Sequence, residues 1–130
     1  MKQELSHIAI IVKDYDEAIR FYCDKLHFTL LEDTVLSETK RWVKVRPPGS
    51  SGASLLLARA ANDEQASRIG NQTGGRVFLF LYTDNFDRDF NNLLEQNITI
   101  IRQPSNETYG IVAVFSDIYG NLWDLIQPNS

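Results

Sequence analysis

Two polar side chains interrupt apolar, strand-like runs, and their chemistry is the easiest to name. His7 opens the run His7-Ile8-Ala9-Ile10-Ile11-Val12, and Asp124 sits inside Leu122-Trp123-Asp124-Leu125-Ile126. Side chains on a strand alternate between its faces. His7 therefore falls with Ala9 and Ile11, and Asp124 with Leu122 and Ile126. An imidazole can serve near neutral pH as acid, base or metal ligand. A carboxylate among apolar neighbours needs a partner or a raised pKa. Paired, Asp124 would hold His7 in one tautomer as a general base. Three readings of His7 stay open: metal ligand, metal-free contact or acid–base group for a small molecule, and hydrogen-bonded structural residue.

Other side chains could contact a ligand. Trp42 and Trp123 offer flat faces to a planar molecule, with core or interface packing as the competing reading. Arg41 and Arg76 begin strands and could pair with a carboxylate, or simply face solvent. Tyr109 precedes Gly110 in a loop and could gate a pocket. Gln65 could complete a polar site. The only cysteine, Cys23, lies in a helical pattern without a visible base, so a structural thiol is expected.

Composition narrows the classes. The 130 residues suit a single domain with one sizeable core. A net charge of −4 and no dense Lys/Arg cluster argue against nucleic acid or an anionic membrane as partner. One cysteine excludes an intrachain disulfide framework and fits a reducing compartment. Met1 to Leu5 shows no signal-peptide core, and the longest apolar run, Val77 to Tyr82, is far below the roughly 20 residues of a membrane span. A cytoplasmic protein is expected.

The elements that would position these residues repeat along the chain. His7 to Asp14 resembles Val77 to Asp84 at an offset of 70: an apolar run ending in Asp. Asp14 and Asp84 are read as helix N-caps, with Glu17 and Asp87 at the third helical position. The helices present Ala18, Ile19, Tyr22, Cys23 and Leu26, and Phe86, Phe90, Leu93 and Leu94. His27 and Asn97, again 70 apart, are read as left-handed residues that end them. Strand-like runs follow at Phe28–Leu31 and Ile98–Ile101, then Arg41–Val45 and Ile111–Phe115. Each half closes with a Gly turn (Gly52, Gly120) and a last strand, Ser54–Ala58 and Leu122–Gln127. Residues 61–69 read as a short helix capped by Asn62, with Gln65 at its third position. Module one is placed at 1–69, a glycine-rich linker at 70–75 and module two at 76–130.

The chain resembles the vicinal oxygen chelate superfamily of glyoxalases, extradiol dioxygenases and bleomycin- and fosfomycin-resistance proteins. The resemblance rests on HIAIIVKDYDEAIRFYCDKLHFTLLED, GGRVFLFLYTDNFDRDF and YGIVAVFSDIYGNLWDLIQ. The last is similar to the family's DPDGN-x-hydrophobic-acidic-Leu ending. It implies an α+β fold in which two βαβββ modules form a curled mixed sheet, a cup with helices outside. It also implies a homodimer and a small-molecule ligand.

Metal-dependent members bind through four positions. Carried onto this chain these are His7, Leu56, Val77 and Asp124. His and Asp suit Zn, Ni, Mn or Fe, but Leu56 and Val77 cannot ligate. The resemblance thus implies either a glyoxalase-like lyase, isomerase or dioxygenase working through one divalent metal, with His7 and Asp124 as ligands or catalytic groups, or a metal-free protein that sequesters a drug or metabolite.

Overall fold

A computed structural model describes every residue from Met1 to Ser130. The chain divides into two compact units, Met1–Ile69 and Gly70–Ser130. Each has the element order βαβββ. Unit one contains β1 (His7–Val12), α1 (Tyr15–Ile19), a π-helical continuation of α1 (Arg20–Lys25), β2 (Thr29–Val35), β3 (Arg41–Arg46), β4 (Ser54–Arg59) and the one-turn α2 (Asp63–Ala66). Unit two contains β5 (Val77–Tyr82), α3 (Phe86–Glu95), β6 (Ile100–Glu107), β7 (Gly110–Ser116) and β8 (Leu122–Pro128). Each makes a four-stranded mixed sheet, ordered β1-β4-β3-β2 and β5-β8-β7-β6. The first pair in each is parallel and the rest antiparallel. The α+β class and the two βαβββ modules expected from the sequence are those observed.

In unit one the β1 alternation decides the packing. Ile10 and Val12 are buried with Val43, Val45, Leu55 and Leu57 from β3 and β4, and with Ala18, Tyr22 and Leu26 from the helix. Ala9, Ile11 and His7, on the other face, are only partly covered or exposed. In unit two Leu125, Ala113, Phe115 and Trp123 form the corresponding core with Phe86 and Leu93 of α3. Leu94, expected on the buried stripe, is exposed.

The helix ends follow the expected caps, with one correction. Asp14 accepts from the Glu17 N–H at 2.8 Å. The cap of α3 is Asn85 rather than Asp84: Asn85 accepts from the Arg88 N–H at 3.1 Å, while Asp84 takes the Arg88 guanidinium at 3.0 Å. The reason lies upstream. β5 carries a bulge between Val77 and Leu79, which adds a residue before the helix.

The frame is restored in the helices. His27 and Asn97 have φ of 63° and 56°, the left-handed values expected of them. α3 ends in a Schellman motif, with Ile98 N–H on Leu93 O at 3.0 Å and Asn97 N–H on Leu94 O at 3.1 Å. In unit one the equivalent bond reaches one residue farther back, from Phe28 N–H to Tyr22 O at 2.9 Å. Leu26 N–H likewise bonds Phe21 O, five residues back, at 3.1 Å. The π-helical wind absorbs an extra residue there. One insertion in each half thus cancels the other.

Candidate functional site

Cross-strand pairing fixes which residues share a face with His7 and Asp124. In unit one Ala9, Leu56, Lys44 and Glu32 form one lateral row. In unit two Phe80, Asp124, Val114 and Arg102 form the equivalent row. Lys44 pairs Leu56 as Val114 pairs Asp124, so Leu56 and Asp124 occupy matching positions. His7 pairs Ser54 as Val77 pairs Leu122.

In unit one the open face holds His7 at the start of β1 and Trp42 on β3. Their rings meet edge to face, with centroids 5.6 Å apart. The imidazole Nδ1 lies 3.1 Å from Ser6 Oγ. Lys44 on the same face approaches Glu32 at 3.8 Å. In unit two the Asp124 carboxyl is half-buried, and that burial pushes its pKa above the ordinary Asp value while the Arg102 charge pulls the other way. This meets the expectation for a carboxylate set among Leu122 and Ile126.

The other candidates are placed differently. Arg41 is engaged within the fold: its guanidinium bonds Asp33 at 2.7 and 3.1 Å and Asp16 at 2.9 Å, and it lies over the Tyr15 ring. These partners hold its proton more tightly still. It ties the β2–β3 hairpin to α1, with its Nε–Nη2 edge taken by Asp33 and Nη1 engaged by Asp16. Gln65 uses its side-chain oxygen to accept from Ala61 N–H at 2.8 Å, completing the cap that Asn62 begins. Trp123 is only 3% exposed and stacks on Phe115 at 5.9 Å, so it packs the core instead of offering a free face. Arg76 is exposed just before β5. Tyr109 is exposed at the two-residue tip of the β6–β7 hairpin. Burial raises the Cys23 thiol pKa, with Asp24 adding to it, the opposite of what a nucleophile requires.

The pairing also reveals residues the sequence reading passed over. Phe80 and Tyr82 lie on the Asp124 face of β5 and are 62% and 69% exposed. Their spacing of two was visible, but the run was read only as an apolar strand ending in Asp84. An open depression of about 640 Å³ near the start of α3 is lined by Asp84, Asn85, Asp87, Asn106, Gln127 and Asn129 and contains neither His7 nor Asp124.

A conventional divalent-metal centre takes three or four protein ligands. The donors here do not fit one. Leu56 and Val77 offer hydrocarbon, and no three His, Cys, Asp or Glu side chains gather where they could hold an ion.

The turn leading into β8 holds Asp124 in register. Asp117, buried, accepts through Oδ1 from the N–H groups of Tyr119, Gly120 and Asn121 at 2.9, 3.0 and 2.9 Å. Its Oδ2 accepts from Asn121 Nδ2 at 2.8 Å. Gly70, with φ of +75°, presses against this turn so closely that a Cβ would lie 1.8 Å from Tyr119 O.

These features define a class. The chain belongs to the Glyoxalase/Bleomycin resistance protein/Dioxygenase superfamily, whose family model matches residues 4–125. It is 61% identical over 130 residues to an uncharacterised protein of Shewanella frigidimarina, covering 99% of this chain and 96% of that one. Among solved structures it is similar to TnmS3, an antibiotic binding protein from Streptomyces sp. CB03234, with 30% identity, a TM-score of 0.79 and 98% of each chain covered. It is also similar to UcmS2, with 28% identity, a TM-score of 0.84, and 97% of this chain and 98% of that one covered. No helix of the chain is long and apolar enough to cross a membrane.

Proposed function

We propose that this protein binds and sequesters an aromatic small molecule, a drug or a metabolite, without a metal, as a cytoplasmic homodimer. The observation that carries the reading is hydrocarbon at two of the four family ligand positions, Leu56 and Val77, beside aromatic side chains on open sheet faces. Flat rings on an apolar sheet suit a planar ligand. The similarity to an antibiotic binding protein supports the same reading.

The test is a titration of purified protein with a panel of aromatic antibiotics and metabolites, followed by tryptophan fluorescence in chelator. Stoichiometric binding in chelator is the expected result. Binding or turnover that appears only on adding Zn, Ni, Mn or Fe, and is lost in His7→Ala, overturns it. That outcome would favour a second reading, a glyoxalase-like lyase. The observation in favour of the lyase is Asp124, whose raised pKa suits proton transfer.

A further inference from the structure

Phe80 and Tyr82 stand two residues apart on β5, an edge strand, so their side chains leave the same face about 7 Å apart. Both rings are mostly exposed. Val112, Val114 and Ile126, on the same face of β7 and β8, are buried, so the accessible part of this face lies along β5. Asp124 is the lateral neighbour of Phe80 on that face. No hydrogen bond or ion pair reaches its carboxylate. Arg102, two strands away in the same row, is directed to Glu107 Oε1 at 3.1 Å and to Ser105 Oγ at 3.5 Å.

A carboxylate half withdrawn from water and left without a partner favours an incoming cation. Aromatic faces next to it add cation–π attraction. An anionic ligand would meet only repulsion from Asp124. We infer that the β5 edge of module two, on its Asp124 face, is a subsite for a planar aromatic cation, with Phe80 and Tyr82 as the stacking surface and Asp124 as the counter-charge. This rests on the small-molecule reading above and narrows it to a ligand class.

Two dyes of one ring system separate charge from shape: proflavine, cationic at mildly alkaline pH, and acridine, neutral there. Fluorescence titration of the full chain should show proflavine binding about tenfold more tightly than acridine. Asp124→Asn should bring the ratio to about one, and Phe80→Ala should weaken both dyes. Thermal melts check that each variant is folded. Tyr82→Ala, at a more exposed ring, gives a second reading of the stacking surface if Phe80→Ala does not fold. Equal affinity of the wild type for both dyes, or an undiminished preference in Asp124→Asn, overturns the cation subsite and leaves small-molecule binding standing. Failure of both dyes to bind also overturns the subsite, whereas the broader reading stands or falls on the antibiotic and metabolite panel.

Discussion

The imidazole of His7 lies perpendicular to the indole of Trp42, at an interplanar angle of 89°. This places a titratable ring against the edge or face of the one tryptophan left outside the core, and couples the start of β1 to β3 across the intervening β4. Edge-to-face aromatic pairs contribute about 0.5–1.5 kcal/mol beyond area burial. A double-mutant cycle of His7→Ala and Trp42→Ala should therefore give a coupling of about 0.5–1 kcal/mol in urea unfolding. Strict additivity would show that the two rings do not support each other.

Asp124 gives a pH signature. Its folded-state pKa is raised by burial above the ordinary Asp value. Such a group favours the fold in its neutral form, an advantage fully present below the unfolded pKa and lost as pH rises through the folded one. At neutral pH the ionised carboxylate is thus a liability. Asp124→Asn should raise the melting temperature there, and the gain should shrink as pH falls into the carboxylate range. A gain that persists unchanged in acid would point to packing rather than charge.

The Asp117 carboxylate gathers four hydrogen bonds in the turn before β8. Asp117→Ala removes the carboxylate that accepts from three backbone N–H groups and the Asn121 amide, leaving Gly120 N–H only the Asp117 carbonyl at 3.2 Å. The expected loss is about 3 kcal/mol or more, read as a lower urea midpoint. Asp117→Asn keeps an acceptor for the backbone groups and should lose less. Equal losses for the two variants would argue against the backbone bonds as the cause.

His27 occupies a left-handed position where a Cβ is unfavourable. His27→Gly should stabilise unit one by about 0.5–1 kcal/mol without altering ligand binding. A measured loss of stability would mean that the imidazole makes contacts worth more than the relieved strain.

Much of the fold was legible because it is written in local rules. The alternation in His7–Val12 separated the buried Ile10 and Val12 from the open His7. The non-glycine turns at His27 and Asn97 followed from helix-ending chemistry. Asp84 was misread because a constant offset cannot register a bulge, which is a feature of strand pairing and not of residue type. The site was less legible for a similar reason. Arg41 and Trp123 have the side chains of ligand-binding residues, and only their partners, Asp33, Asp16 and Phe115, show that they are already engaged. Phe80 and Tyr82 went unnamed because nothing in the run Val77–Tyr82 states that its strand lies at a sheet edge.

The compensating extra residues in β5 and in the π-helical turn bear on how the halves could be interchanged. A crossover placed before the bulge or after His27 and Asn97 would join matching frames. One placed between the strand and the end of the helix at the same offset of 70 would drop or repeat a residue, because the caps Asp14 and Asn85 lie 71 apart. Its helix would then arrive one step out of phase, turning about 100° of its apolar stripe away from the sheet. The two halves are parts with a defined set of permissible seams, and chimeras built at those seams should fold where those built a few residues inside them should not.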